Sequence, residues 1–357
     1  MIYAIRDKKY HFVSLFDTKR GTYVRTGILD DENHDTGVDL FMASFPHLID
    51  VGIMGHCIHG KTGLCAKAGV QCYQSGMYIA DRNMPLEDFE WIARQCKHRT
   101  HQFALGGRGD PDQHENFKEI LKIARKNNIV PNFTTSGYGM TPQIASLCNQ
   151  YCGAVAVSWY RSKYTVDAIN MLIKAGVKTN IHYVLGKNTI DEAIKMLETD
   201  DMPQGINAVV FLLHKPAGQG TVENMLSADD EKTEKFFEVF QKKHKCKIGV
   251  DSCTVPGIIQ FCDKVLMESI DTCEGARYSC YIGSDMKMTP CSFDRSNKYA
   301  VQLRPVTIMG AWNSQKFDEF RNILKTSCPE CENKYECMGG CPLMKNCVLC
   351  TKENRSF

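Results

Sequence analysis

From about residue 46 onward, apolar and polar positions fall into a repeating strand–helix rhythm. LIDVGIM (48–54) is an apolar run with the length of a buried strand. After the loop that follows it, Pro85 opens a helix carrying Leu86, Phe89, Ile92 and Cys96 on one face. HQFALGG (101–107) predicts a second strand, and Phe117, Ile120, Leu121 and Ala124 then recur at helical spacing. IVPNFTT (129–135) predicts a third. Thr141-Pro142 supplies an N-cap with proline at the first helical position, and Gly153 ends that helix. AVAVSW is the fourth strand, with a helix over 165–175 that stops at Gly176. VKTNIHYVL is the fifth, and its helix begins with the capping box Thr189-Ile190-Asp191-Glu192. NAVVFLL is the sixth, followed by a helix from about Ser227 to Lys243. Residues 1–45 differ, because YHFVSLF and TYVRTG flank the turn-like DTKRG and predict a hairpin.

Six β–α units in series predict an α/β fold, a parallel sheet covered by helices that either closes partway into a (β/α)6 barrel or stays open. Under both, functional loops lie at the carboxyl ends of the strands. After about residue 245 the rhythm gives way to a loop-rich, cysteine-rich segment. Its apolar content looks too small for a large core, which makes bound metal a contributor to its folding. The expected division is therefore 1–45 as a β-hairpin extension, 46–245 as the β/α core, and 246–357 as a bridging and cysteine-rich region.

Charge changes this picture little. The 357 residues carry 43 Lys and Arg against 41 Asp and Glu, with no basic stripe, so nucleic acid is not an expected partner. No apolar run approaches the roughly 20 residues that span a membrane. The start, MIYAIRDKKYHF, does not read as a signal peptide, so a cytoplasmic location is expected. Cysteine changes it a great deal. There are eighteen, nine of them from Cys273 to Cys350. In a chain without an export signal, cysteines at short spacings favour metal over disulfides.

The loop VGIMGHCIHGKTGLCAKAGVQCYQSG (51–76) admits two readings. Gly55 to Thr62 matches the phosphate-cradling pattern G-x-x-x-x-G-K-[ST]. That loop should run directly into a helix facing the phosphates, whereas GLCAKAGVQCYQSG follows, with three more glycines. No strand-ending Asp offers a second magnesium ligand either, LLHKP being the nearest candidate. The other reading uses Cys57, Cys65 and Cys72, spaced C-x7-C-x6-C. Three thiolates can hold three irons of a [4Fe–4S] cube and leave the fourth open.

Three cysteines on one strand-end loop of a six-unit β/α core resemble the radical S-adenosylmethionine (SAM) family. The resemblance implies a partial (β/α)6 barrel in which SAM chelates the open iron and is cleaved reductively to a 5′-deoxyadenosyl radical. The spacers depart from the family's C-x3-C-x2-C, each being four residues longer; Gly60, Gly63 and Gly69 let a longer loop fold back. Tyr73 fits the aromatic that follows the third cysteine. ALGGRGDPDQHENF resembles the stretch that receives SAM's amino group, with Gly106, Gly107 and Gly109 allowing close approach and Asp110 where the family has Glu. A plain glycine turn before a helix is the other reading of it. Ser158 is a candidate ribose contact and Arg161 a candidate partner for SAM's carboxylate. Asn180, His182 and His214 either face the barrel interior or are satisfied core groups.

CPECENKYECMGGC reads C-x2-C-x5-C-x3-C through Cys328, Cys331, Cys337 and Cys341. Cys273, Cys280 and Cys291 precede it, and Cys347 and Cys350 follow. The series resembles the SPASM extension of radical SAM enzymes, which holds two auxiliary [4Fe–4S] clusters, although Met286 stands where the family has glycine. The resemblance implies one cluster on Cys273, Cys280, Cys291 and Cys341. It implies a second on Cys328, Cys331, Cys337 and either Cys347 or Cys350. Zinc at the C-x2-C pairs is the alternative. Three [4Fe–4S] clusters, SAM and a flavodoxin- or ferredoxin-type electron donor are thus expected. The implied reaction is cross-linking, epimerisation or oxidation of a ribosomally synthesised peptide. Radical oxidation or epimerisation of a small molecule such as a sugar is the alternative, and a non-catalytic electron carrier is a third reading. Ser292, not Asp, directly follows Cys291, which departs from the sulfatase-maturing subgroup. Cys253 is a candidate hydrogen donor to a substrate radical, or else a buried thiol; Cys96 and Cys148 read as core.

Overall fold

The computed structural model describes residues 2–19, 21–266 and 269–351. Three antiparallel strands, β1 (Ile2–Asp7), β2 (Phe12–Asp17) and β3 (Thr22–Arg25), form a small sheet in that order. The expected hairpin is β2–β3. β1 alternates between exposed and half-buried positions up to Arg6 and buries only Asp7, so its sequence carries too little contrast to read as a strand.

The six strands expected from the rhythm are β4 (Leu48–Met54), β5 (Gln102–Gly107), β6 (Val130–Thr135), β7 (Val155–Ser158), β8 (Thr179–Leu185) and β9 (Ala208–Leu213). They lie side by side in chain order, all parallel. The sheet then continues past residue 245. β10 (Lys247–Val250) adds in parallel beside β9, and β11 (Ser279–Ile282) in parallel beside β4. Antiparallel β12 (Lys287–Thr289) and β13 (Val301–Gln302) complete the order β10-β9-β8-β7-β6-β5-β4-β11-β12-β13. The sheet is an open, partial barrel whose end strands are β10 and β13.

Two short helices, α1 (Ile58–Thr62) and α2 (Leu64–Lys67), lie in the cysteine loop. The covering helices are α3 (Leu86–Cys96), α4 (Phe117–Lys126), α5 (Pro142–Tyr151), α6 (Lys163–Lys174), α7 (Ile190–Thr199) and α8 (Glu231–Phe240). Beyond them come α9 (Val255–Phe261), α10 (Ile308–Trp312), α11 (Gln315–Thr326) and α12 (Lys334–Cys337). Each covering helix buries the apolar stripe its spacing predicts: Phe89, Ile92 and Cys96 from α3, and Phe117, Ile120, Leu121 and Ala124 from α4. Full burial of one such Ile or Phe stabilises by about 1.5–3 kcal/mol. Among the described residues, no helix is long and apolar enough to cross a membrane.

Two local expectations are corrected. Thr141 does cap α5, its hydroxyl accepting from the Ile144 N–H at 3.2 Å. Thr189 does not form a capping box. Its hydroxyl donates to the Val184 carbonyl at 2.7 Å and accepts from the Gly186 N–H at 3.0 Å, closing the β8–α7 turn, while Glu192 reaches Trp159 and Arg161. The segment after 245 is also not poor in core. Ile282, Met288, Leu303, Trp312, Phe317 and Phe320 are fully buried in the same cluster as the barrel residues. Only about 327–351, where α12 spans a single turn, fits the expected loop-rich description.

Candidate functional site

The strands β4–β10 end on a cavity of about 450 Å³ that reaches from the cysteine loop to the segment after Cys291. On the loop side, the chain leaves β4 and winds through α1 and α2, joined at Gly63 in the left-handed conformation. Cys57, Cys65 and Cys72 all line the cavity. The Cys57 and Cys72 sulfurs both lie near Gly76, each 3.8 Å from where a Cβ there would stand. Burial pushes the Cys57 thiol up against the pull of the His59 and Gly60 N–H groups, and pushes Cys65 up to about 11. Unaided, these thiols hold their protons; a bound cation is what would favour the thiolates. Among the described residues, no three His, Cys, Asp or Glu side chains converge closely enough to hold a metal ion by themselves. The phosphate-loop match lacks its helix: α1 has five residues and ends at Thr62, whose hydroxyl donates to the His59 carbonyl at 3.2 Å. The Lys61 side chain lies outside the described residues.

Across the cavity, β5 presents Gly106, Gly107 and, one turn on, Gly109 and Asp110. Asp110 is held through both of its oxygens. Its Oδ1 accepts from the Ser136 N–H at 2.8 Å; its Oδ2 accepts from the Ser136 hydroxyl at 2.5 Å and from His59 Nε2 at 3.0 Å. Ser158 and His182, at the ends of β7 and β8, line the same space. Burial lowers His182 to about 4, so its imidazole is neutral at pH 7, with Nδ1 3.1 Å from the Thr134 hydroxyl. His214 also lines the cavity and donates to the Thr221 carbonyl at 3.0 Å. Asn180 and Arg161 are engaged elsewhere. Asn180 accepts from Asn207 at 2.7 Å. Arg161 is ion-paired with Glu192 and donates to the Ala68 carbonyl at 2.9 Å and the Tyr183 hydroxyl at 3.3 Å, strapping the cysteine loop to the barrel.

Tyr73 joins the two ends of the cavity. Its ring stacks on Phe293 with centroids 4.5 Å apart, and its hydroxyl bonds Gln74 and Ser292. Beside Phe293 lies Lys215, 2% exposed as a side chain, with Nζ 4.5 Å from the ring centre and 3.1 Å from Asp251. Burial works against the Lys215 charge, yet Asp251 and the sulfurs of Cys253 and Cys341 hold its pKa well above the ordinary lysine value.

Behind this pair the cysteines fall into two groups. Cys253 hydrogen-bonds Cys341 and acts electrostatically on Cys273, Cys291 and Cys347. Cys337 senses Cys328, Cys331 and Cys350. Cys280 joins neither group. On β11 its neighbour Tyr281 lines the cavity, so strand alternation sends Cys280 to the opposite face, into the core beside Cys96 and Arg321.

Residues 273–338 match the SPASM family model, described as an iron-sulfur cluster-binding domain. The structure of Streptococcus suis SuiB bound to precursor peptide SuiA superposes with a TM-score of 0.70 at 13% identity, over 98% of each chain. This is a radical SAM fold carrying a SPASM segment. SuiB bound to S-adenosylmethionine gives 0.64 at 15% identity, over 85% of this chain and 74% of that one. Native anSMEcpe with bound AdoMet and Cp18Cys peptide gives 0.60 at 17% identity, over 85% and 91%. No curated protein matches the chain in sequence. Within the radical SAM fold, Lys215, Asp251, Tyr160 and His59 are the site residues that sequence reasoning passed over. Lys215 and Asp251 had a signal, since each is a charged residue just past the carboxyl end of a strand, β9 and β10. Tyr160, whose hydroxyl bonds Cys65, had none.

Proposed function

We propose that this protein is a radical SAM/SPASM enzyme that abstracts a hydrogen atom from a ribosomally synthesised peptide. One observation carries the reading: a single cavity runs from the three-cysteine loop, through the Tyr73–Phe293 stack, to a buried Lys215–Asp251 pair backed by a second group of cysteines. In this reading Cys57, Cys65 and Cys72 hold the SAM-binding cluster, which supplies the reductive cleavage when loaded. Gly106, Gly107 and Gly109 give SAM close access to backbone, while Tyr73, Ser158 and His182 wall its adenosyl part. Asn180 and Arg161 support the barrel and the loop from outside that contact. Cys273, Cys291 and Cys341 hold the first auxiliary cluster with Cys253 in the place expected of Cys280, so Cys253 is a ligand in this proposal and not a hydrogen donor. Cys328, Cys331, Cys337 and Cys350 hold the second, and Cys347 stays beside the first group. Asp251, which reaches the cavity with Lys215 Nζ 3.1 Å away, is placed to take a proton from the substrate.

The peptide assignment draws on the two peptide-bound structures that share this fold. An external low-potential donor of the flavodoxin or ferredoxin type completes the scheme. Anaerobic reconstitution with iron and sulfide tests it: about twelve irons per chain are expected, with dithionite-dependent release of 5′-deoxyadenosine that a Cys57→Ala variant abolishes. Iron uptake without SAM cleavage would leave an electron carrier instead.

A further inference from the structure

Asp50 is the third residue of β4, the strand that leads into the cysteine loop. Ile49 and Ile53 of that strand are fully buried in the core cluster, so alternation sends Asp50 and Gly52 to the barrel interior. Asp50 lines the cavity there, as do Ala104 and Tyr281, its register partners on β5 and β11. Ala104 is too short to cover the carboxyl. The Tyr281 hydroxyl lies one layer higher, in the space that a side chain at Gly52 would fill. Asp50 thus stands two residues, roughly 6–7 Å, below the level at which Gly52 pairs with Gly106.

Three carboxyl side chains line the cavity: Asp50, Asp110 and Asp251. Asp110 is held by Ser136 and His59, and Asp251 by Lys215 at 3.1 Å and the Thr254 hydroxyl at 2.7 Å. Asp50 differs from both. Among the described residues no group bonds its carboxyl, and burial alone pushes its pKa up to about 7. The lysine and arginine that line the cavity are engaged elsewhere, Lys215 with Asp251, and Arg108 with Asp81 at 2.7 Å and the Gln74 carbonyl at 3.3 Å. A carboxylate buried without a partner is costly until a cation meets it. The cavity therefore offers at its depth an open anionic position that the chain itself does not fill.

We propose that Asp50 receives a cationic side chain of the substrate, a lysine ammonium or an arginine guanidinium, inserted from the SAM level into the barrel. The inference rests on the radical SAM reading above and names the part of the peptide that this site holds. The depth suits it, because a long side chain reaches Asp50 while the peptide backbone stays at the strand ends.

The test uses fragments of the two side chains on anaerobically reconstituted protein with SAM bound and no reductant. n-Butylammonium and n-propylguanidinium stand for the cations, butan-1-ol is the neutral control of similar size, and binding is followed by ligand-observed NMR. At least one cation should bind on the order of 10-fold more tightly than butan-1-ol, the gain expected from a hydrogen bond to a charged group. Asp50→Asn should bring that cation down to the level of the alcohol. Butan-1-ol matching both cations on the wild-type protein would overturn the inference without recourse to any variant. So would undiminished cation binding by Asp50→Asn. An Asp50→Asn variant that unfolds like wild type yet loses its affinity for SAM would overturn it too, because the carboxylate would then serve SAM. Wild-type protein that binds no SAM would overturn the family reading and the substrate assignment together, whereas the other outcomes leave that reading intact.

Discussion

Gly106 and Gly107 are adjacent, yet they are glycine for opposite reasons. At Gly107, φ is +112°, and a Cβ would stand 2.3 Å from the Met54 carbonyl, where β4 turns into the cysteine loop. Gly107→Ala should therefore destabilise the protein itself, by about 1–3 kcal/mol from the backbone conformation alone. At Gly106 nothing lies within 4 Å of the added Cβ, which would point into open cavity. Gly106→Ala should unfold like wild type, within about 0.5 kcal/mol, and still lose most of its affinity for SAM. Denaturant unfolding and SAM titration of both variants separate the two; weak folding of Gly106→Ala would mean the space there belongs to the protein. A second residue-scale prediction concerns the cysteines. Cys253→Ala should lose about four irons per chain. Cys280→Ala should keep them all and lose about 1 kcal/mol of stability from a small core void. Iron loss from Cys280→Ala would restore the ligand set that the family resemblance implies.

At the scale of elements, the docking of the three-stranded sheet turns on two histidines. His47 and His101 meet edge to face at 5.4 Å; Ser14 of β2 bonds His101 at 2.8 Å and Tyr23 of β3 bonds His47 at 2.9 Å. Burial lowers both, His47 to about 3, with His101 and Arg25 adding to the effect, and His101 to about 4. Their docked pKa values lie below the ordinary 6.5, so the closed state refuses protons that the opened state accepts. The stabilisation is complete above about pH 6.5 and is lost as the pH falls toward 4. At pH 5.5 each histidine should cost about 1.4 kcal/mol of docking stability. Hydrogen exchange at pH 7.5 and 5.5, corrected for intrinsic rates, should show β1–β3 losing protection while β5–β8 keep theirs; equal changes in both would sink the idea. The elements also mark what the chain makes legible. β4–β9 could be read because their apolar runs recur in series, each followed by a helix of clear period. β10 and β11 are four residues each and separated by loops and α9, and only their neighbours β9 and β4 make them strands. The same limit applies to Cys280: spacing orders the cysteines along the chain, but the face a strand residue takes is settled by pairing with β4.

At the scale of the molecule, the chain after β10 is two parts joined in one stretch. Residues from Val255 to Leu324 complete the main sheet and its core, with Trp312 and Phe320 fully buried and Arg25 tied to Asp271 at 2.7 Å. That part stands on packing and should fold without iron. Residues 327–351 have little beyond the single turn of α12 and carry six cysteines, Cys328, Cys331, Cys337, Cys341, Cys347 and Cys350. Their few core anchors, among them Leu349 and Val348, are too sparse to offset about 1–2 kcal/mol of backbone entropy per ordered residue. Iron binding should therefore order this stretch specifically, since ligands drawn from its two ends and from Cys253 would close it as a cross-link does. Limited proteolysis of iron-free and reconstituted protein measures this directly. Iron-free protein should be cut first between Ser327 and Cys350 and leave a stable barrel fragment ending near Thr326, while reconstituted protein should resist at those bonds. Early cutting within β11–β13 would show instead that the clusters hold the sheet extension together, and that the packing of Trp312, Phe317 and Phe320 is not enough without them.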